Sequence, residues 1–256
     1  MSFRVPSPFT RLNGERVIQT CSGASGFATY TNAEEDMLVK LDDDIPFEIG
    51  SALACGFMSG FGAVLNRSKV VHSQSFAVTG CGGVGLSAIM GAKYCGAVPI
   101  IGIDTQPVKL AAAKKFGATH VINPKEVDPV KAVMEITGGD GVDQSFVAVA
   151  GPGIKRMTFD LTAKYGQMVV VGHEHPRNEG MEEFNFMEFL LGKRLTGSVM
   201  GAVTLRRDIP KYMDMYRTGQ IDIDALLSNR FKLDDIKEAL DDSERGALKN
   251  VVICND

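Results

Sequence analysis

Apolar runs of strand length alternate with amphipathic helical patterns from about Ser75 to about Met200. Such alternation is typical of βαβ units, in which helices join parallel strands and cover both faces of a sheet. The pattern predicts an α/β fold with a doubly wound parallel sheet of six strands. After the first βαβ unit, the predicted elements are helix 108–116, strand 119–122, helix 129–137, strand 144–149, helix 154–165, strand 167–172, and a helix followed by strand 195–199.

The flanks of this alternating region have a different character. Residues 1–50 contain short extended runs, RVIQT, FATYT and MLVKL, which Gly, Asn and a DDD triplet interrupt. Residues 201–256 predict two helices, a short strand and a closing strand, KNVVIC. The flanks are therefore expected to lie outside the parallel sheet.

A glycine motif lies within residues 75–104, where a strand is followed by a helix and a second apolar strand. The turn reads G-x-G-x-x-G at Gly80, Gly82 and Gly85, with Gly83 beside them. The first glycine allows a tight turn, the second lets the backbone approach a pyrophosphate, and the third lets the helix lie close to the strand. Free N–H groups at the helix start favour an anion. The motif predicts a Rossmann dinucleotide site.

Asp104 ends the second strand, 19 residues after Gly85. A carboxylate there meets the adenosine ribose hydroxyls of NAD and repels the 2′-phosphate of NADP. Thr105 and Gln106 offer no arginine that would receive such a phosphate. The predicted cofactor is therefore NAD. Lys109 either reaches the same ribose or is a solvated helix lysine, and the sequence leaves both interpretations open.

Composition and charge exclude several classes of protein. The chain has 256 residues, of which 45% are hydrophobic and 23% charged, as in soluble globular proteins. The net charge is −4, and no Lys/Arg cluster alternates with aromatic residues, so nucleic acid is not an expected partner. No apolar run approaches the length of a membrane span, and the amino terminus lacks the apolar core of a signal peptide. These features favour a cytoplasmic protein that does not bind membranes.

Several segments together resemble one enzyme family. LACGFMSGFGAVLNRSKV precedes the glycine motif, GATHVINP follows the second predicted helix, and DIPKYMDMYRTGQI and FKLDDIKEAL lie near the end. With these segments the chain resembles the zinc-dependent medium-chain alcohol dehydrogenases, and most resembles their aryl and benzyl alcohol and glutathione-dependent formaldehyde branches. The resemblance implies hydride transfer between an alcohol, aromatic in some branches, and NAD. It also implies a Rossmann domain at 59–200, flanked by remnants of a GroES-like catalytic domain at 1–58 and 201–256.

The resemblance also implies roles for individual residues. Cys55, in the CGF motif, matches the last catalytic zinc ligand of the family, and the alternative for an isolated cysteine is a small buried hydrophobe. The implied contacts with the nicotinamide are Ser59 beside it and Val84 against its ring. The segments of Val171, Ser198 and Met200 are implied to hold its carboxamide. Lys249, which aligns with the family's basic residue after a one-residue gap, is implied to reach the pyrophosphate.

Departures from the family pattern affect the metal site most. The family's first zinc cysteine, its His-Glu pair, its proton-relay hydroxyl and its four-cysteine lobe have no counterpart in this sequence. One thiolate cannot hold a catalytic zinc, which needs three protein ligands. The chain is therefore expected to bind NAD but to be catalytically incomplete. Either it lacks an amino-terminal part of the dehydrogenase, or it is a non-catalytic NAD-binding module or one half of a two-chain enzyme. A zinc-free quinone or enoyl reductase is disfavoured by the CGF motif.

The remaining metal-binding residue types give little further indication of a site. His173, Glu174 and His175 follow a predicted strand, where they form either a metal pair or, as favoured here, a polar loop with His173 near the nicotinamide. The histidines at 72 and 120 are assigned no role. The five cysteines have no C-x-x-C pair, which indicates neither a disulfide framework nor a structural zinc site: Cys21, Cys55, Cys81, Cys95 and Cys254.

Self-association is a further implication of the resemblance. The family pairs the last strand of each Rossmann sheet, here LTGSV, across a two-fold axis, which removes an exposed sheet edge. A homodimer or higher oligomer is therefore expected, acting on a small alcohol or aldehyde.

Overall fold

The computed structural model describes residue 10 and residues 13–15, 26–172 and 183–254. Within them six strands form one sheet: β1 (Phe76–Thr79), β2 (Ile100–Ile103), β3 (His120–Ile122), β4 (Val142–Val147), β5 (Thr162–Val170) and β6 (Arg194–Gly197). Their order is β3-β2-β1-β4-β5-β6, and every neighbouring pair is parallel. This arrangement confirms the predicted doubly wound sheet.

Helices join the strands and cover both faces of the sheet. Side chains alternate between the faces of a strand, and on β1 Phe76 and Val78 belong to one core while Ala77 belongs to another. Both faces are thus buried, as parallel sheets require. The connecting helices are α2 (Gly83–Tyr94), α3 (Pro107–Phe116), α4 (Pro129–Ile136), α5 (Ile154–Asp160) and α6 (Phe186–Leu190).

The sequence also encodes where these helices begin. Pro107 and Pro129 occupy first helical positions, where a missing N–H costs no hydrogen bond. The Asp128 side chain accepts hydrogen bonds from the Val130 and Lys131 amides and so caps α4.

The carboxyl-terminal flank follows its prediction. Its two helices and two strands are α7 (Leu205–Arg217), β7 (Arg230–Lys232), α8 (Ile236–Arg245) and β8 (Val251–Ile253). The two strands pair in parallel as a separate small sheet.

A helix of 22 residues, α1 (Phe47–Ser68), precedes the sheet. It is α-helical over Phe47–Ala52, and most of the remainder has π-helical hydrogen bonding. With a mean hydropathy of 1.4 it is long and apolar enough to cross a membrane, which corrects the expectation that no apolar segment approaches that length. Glycines and small polar residues interrupt the apolar run, so the sequence does not show it as one continuous apolar segment. Because 61% of its apolar window is buried inside the molecule, α1 is a core helix of this fold.

Aromatic contacts fix α1 against α7. The rings of Phe57 and Phe61 stack with their centroids 4.9 Å apart, and Tyr212 packs edge-on against both rings. All three side chains are buried. Such pairs stabilise a core beyond the burial of their area. The middle of α1 is therefore held against α7.

One predicted helix is too long. Helix 154–165 ends at Asp160, and β5 begins at Thr162, five residues before the predicted strand at Gln167. Thr162 pairs with Val142 of β4, and Tyr165 has a φ of 68°, which a helix does not accommodate. Strand pairing therefore prevails over the local helical pattern.

The amino-terminal extended runs form no strands where the structure describes them. FATYT and MLVKL lack a neighbouring strand, whose backbone groups a strand needs as partners. Val39 and Leu41 of the second run instead pack against the main core. RVIQT lies outside the described residues. Met58 and Ser59, between which a domain boundary was placed, both lie in α1, so one helix connects the two regions.

Candidate functional site

The glycine turn lies at the carboxyl end of β1, and each of its glycines has a different structural role. Gly80 has a φ of 95°, which favours glycine, and its amide donates to the Ile103 carbonyl at 2.8 Å. A Cβ on Gly85 would stand 1.8 Å from the Gly80 carbonyl oxygen, so α2 meets the turn with backbone against backbone. Among the described residues, nothing lies within 4 Å of where a Cβ on Gly82 would stand. The space in front of Gly82 is therefore open.

The start of α2 faces this space. The Leu86 amide makes the first intrahelical bond, to the Gly82 carbonyl at 2.8 Å. The amides of the preceding turn have no intrahelical acceptor, and they form the positive end of the helix dipole. The backbone alone thus provides an anion site next to Gly82 and Gly83. Val84, in the same turn, is half-buried and packs against the core.

Asp104 braces the glycine turn from the end of β2. One carboxylate oxygen accepts from the Cys81 amide at 2.8 Å, and the other accepts from the Gln106 amide at 2.9 Å. Burial and the Asp104 carboxylate raise the pKa of Cys81 to about 12, while Lys109 acts weakly in the opposite direction. Cys81 therefore stays a neutral thiol. The carboxylate of Asp104 and the half-buried Lys109 thus both lie near Cys81 in the turn.

The carboxyl-terminal segment crosses over the start of α2. The Leu248 carbonyl oxygen lies 3.2 Å from where a Cβ on Gly83 would stand, and Lys249 Nζ lies 3.6 Å from the corresponding point on Gly56. Burial lowers the pKa of Lys249, and Cys55 opposes that shift. In the described part of the chain, no hydrogen bond or ion pair engages Nζ. The segment that crosses the start of α2 therefore carries an unpaired cation, which lies beside Gly56 of α1.

Cys55 lies on α1 next to this cation. Its side chain is exposed, so it is not the buried hydrophobe of the alternative interpretation. Across the residues that the structure describes, no three His, Cys, Asp or Glu side chains form a group able to hold a metal. Zinc needs three or four such ligands, and the ammonium of Lys249 further disfavours a cation here. The described residues do not fit a zinc ion. His173, Glu174 and His175 lie outside them.

The ends of β5 and β6 place three further predicted residues side by side. The Ser198 amide donates to Val170 at 3.0 Å, which brings Val171, Ser198 and Met200 to one edge of the sheet. Within the described ranges, the carbonyls of Val171 and Ser198 and the amide of Met200 have no hydrogen-bond partner. Ser59 is buried on α1. These free backbone groups match the donors and acceptors of a carboxamide.

Sequence analysis missed two residues at this edge, Val149 and Gly172. A Cβ on Gly80 would meet the Val149 Cβ at 2.7 Å, and a Cβ on Gly172 would meet the Val149 amide nitrogen at 2.6 Å. The loops after β1, β4 and β5 therefore touch at the point where the strand order reverses. Their position in the sequence could have identified them, since each of these residues is the last one of a predicted strand.

Comparisons with known proteins agree with this geometry. Residues 83–218 match the family model described as zinc-binding dehydrogenase. The chain is 35% identical over 235 residues to alcohol dehydrogenase class-2 isozyme 2 of Oryctolagus cuniculus, covering 90% of this chain and 61% of the relative. It is 31% identical to S-(hydroxymethyl)glutathione dehydrogenase of Paracoccus denitrificans, covering 96% of this chain and 67% of the relative. The structure of benzyl alcohol dehydrogenase from Acinetobacter calcoaceticus superposes with a TM-score of 0.86 at 35% identity, covering 95% of this chain and 67% of that one.

Proposed function

Because this chain belongs to the zinc-binding dehydrogenase family, we propose that it binds NAD at the carboxyl edge of its parallel sheet. One observation carries the proposal. The open space before Gly82 lies in front of the free amides of α2 and next to the turn that Asp104 braces, and the segment that carries Lys249 crosses over Gly83. A dinucleotide requires hydrogen-bond donors for its pyrophosphate and a hydrogen-bond acceptor for its ribose hydroxyls.

Each part of NAD has a partner in this proposal. The pyrophosphate binds the first turn of α2 at Gly82 and Gly83, with Lys249 neutralising its charge. Asp104 accepts hydrogen bonds from the adenosine ribose, and Lys109 lies beside it. The nicotinamide end is held by these residues: Ser59, Val84, Val171, Ser198 and Met200. NAD, when bound, accepts a hydride from a carbon that bears a hydroxyl group.

For the whole protein we propose oxidation of a small alcohol, or reduction of the corresponding aldehyde, with aromatic alcohols as candidates. The chain spans about three fifths of the class-2 alcohol dehydrogenase isozyme that it matches (61%). Zinc has no set of ligands among the described residues. The chain itself is proposed as an NAD-binding unit.

Calorimetric titration of the full chain with NADH and NADPH tests this proposal. NADH is expected to bind with one site per chain and NADPH at least about tenfold more weakly, because Asp104 repels its 2′-phosphate. Absence of NADH binding would overturn the proposal. Turnover with benzyl alcohol and NAD, measured in parallel, would show that the chain completes the reaction with residues outside those described.

Replacing Asp104 with serine is expected to reverse part of this preference. Asp104→Ser removes the repulsion while keeping an acceptor for the Cys81 amide, so the ratio of NADPH to NADH affinity rises by about tenfold or more. Asp140→Ser, at an exposed loop position, makes the same charge change away from the site. An unchanged ratio in Asp104→Ser would show that this carboxylate does not face the ribose.

Replacing Lys249 with methionine is expected to weaken NADH binding by about tenfold, since a hydrogen bond between charged groups contributes about 1.5–3 kcal/mol. The variant should also lose part of the salt dependence of binding, which comes from the charge pair. Lys237→Met, at an exposed position of α8, is the matched control. Equal salt dependence in both variants would contradict the role of Lys249.

We also propose that the chain dimerises through β6. This strand is an edge of the sheet, and it and α6 expose apolar side chains. Leu195→Lys should convert a dimer into a monomer in sedimentation velocity, because two charges would face each other across the paired edges. Leu240→Lys, at an exposed leucine of α8, should leave the dimer intact. A wild-type monomer would contradict the proposal.

A further inference from the structure

A left-handed turn follows β6 at the nicotinamide end of the proposed site. Met200, Gly201 and Ala202 have φ values of 50°, 69° and 50° in succession. Residues other than glycine rarely adopt this conformation singly, and here two of them flank a glycine. Such backbone persists only where surrounding contacts hold it in place. The turn begins two residues after Ser198, whose carbonyl has no backbone hydrogen-bond partner among the described residues.

Helix α1 supplies the first of these contacts through packing. A Cβ on Gly201 would stand 1.9 Å from the Met58 carbonyl oxygen, and one on Gly62 would stand 3.3 Å from the Gly201 carbonyl oxygen. The turn therefore rests directly on the backbone of α1. This packing, however, provides no hydrogen-bond donor for the carbonyl groups of Gly201 and Ala202.

Asn66 supplies the second contact through hydrogen bonds. Its Nδ2 donates to the Gly201 carbonyl at 3.1 Å and to the Ala202 carbonyl at 3.4 Å, across 135 and 136 residues of sequence. Two carbonyl oxygens facing one side chain require the NH₂ group there, since its oxygen would be repelled. The side chain is half-buried, so solvent competes only partly for these bonds. The Asn66 side chain thereby links the carbonyl groups of Gly201 and Ala202 to α1.

We propose that Asn66 is a positioning residue for the nicotinamide half of the cofactor. The inference rests on the proposed NAD site and deepens it. Asn66 does not touch the cofactor; it fixes the turn that follows Ser198 and carries the free amide of Met200. Without it, the turn relaxes toward right-handed conformations and the carboxamide loses its aligned partners. The adenosine half, held at Gly82 and Asp104, is unaffected.

The test compares two ligands on the full chain, NADH and ADP-ribose, which lacks the nicotinamide. In calorimetric titrations Asn66→Ala should weaken NADH binding by about tenfold while changing ADP-ribose affinity by less than about twofold. Arg67→Ala, an exposed neighbour on the same helix, should change neither. Adding Ala202→Gly to Asn66→Ala should restore much of the NADH affinity, because glycine adopts positive φ without the help of Asn66.

The outcomes separate this inference from the proposed function. Equal weakening of both ligands, or unchanged NADH affinity, would overturn the positioning role while leaving the NAD site intact. If wild type binds ADP-ribose and NADH equally well, the nicotinamide is not held and the inference is again overturned. If wild type binds neither, the proposed function and the inference both fail. Should Asn66→Ala not fold, Asn66→Ser, which keeps a donor of shorter reach, must show the same selective loss.

Discussion

Replacing Gly85 with alanine should destabilise the protein more than the same replacement at any other glycine of the turn. The new Cβ would stand 1.8 Å from the Gly80 carbonyl oxygen and 2.9 Å from its carbon. Both atoms are backbone, so no side chain can rotate away. Either α2 moves off the sheet or β1 gives up its tight turn. Because α2 is buried along much of its length, this overpacking should cost about 3 kcal/mol or more.

Thermal unfolding measures this cost directly. For a chain of this size, a loss of about 3 kcal/mol corresponds to a fall in Tm of roughly 10 °C, and Gly85→Ala is also expected to be less soluble. Gly26→Ala is the matched control, because no atom of the described residues lies within 4 Å of its added methyl group and its φ is not in the positive range. A Gly85→Ala protein that keeps the wild-type Tm would show that the turn is not as tight as described.

The sequence predicts the central fold because that fold depends on short segments. Each βα unit combines an apolar strand with a helix whose start a proline or capping residue marks, as at Pro107 and Asp128. The glycine spacing then identifies the turn after β1. Where local signals conflicted with pairing, prediction failed, as at Thr162, whose partner Val142 is remote in sequence. Helix 154–165 was therefore predicted too long.

The candidate site was predictable to the extent that strand ends share one edge of a parallel sheet. Asp104, Val171 and Ser198 each follow a strand, and position alone brings them together. The contact of Asn66 with Gly201 has no such local signal, because it depends on how α1 lies against a turn 135 residues away. The left-handed φ of Ala202 was equally unpredictable from the sequence, since an alanine gives no indication of a positive φ.

Replacing Gly82 with alanine should have the opposite signature to Gly85→Ala. Gly82 has φ −77° and ψ −171°, which alanine adopts without strain, and its Cβ would meet no described atom within 4 Å. The Tm should therefore stay within about 2 °C of wild type. The methyl group would occupy the space that a pyrophosphate needs at the start of α2. NADH binding should weaken by at least about tenfold, or about 1.4 kcal/mol.

A ligand series locates the loss within the cofactor. NADH and ADP-ribose both carry the pyrophosphate, so Gly82→Ala should weaken both to the same extent. Adenosine monophosphate lacks the second phosphate, and its ribose is the part that we propose to bind at Asp104, so it should be much less affected. Gly26→Ala should bind all three as wild type does, because its methyl group meets none of the described site residues. Undiminished NADH affinity in Gly82→Ala would mean that the dinucleotide does not approach this glycine, since a stable fold leaves no other explanation for the result.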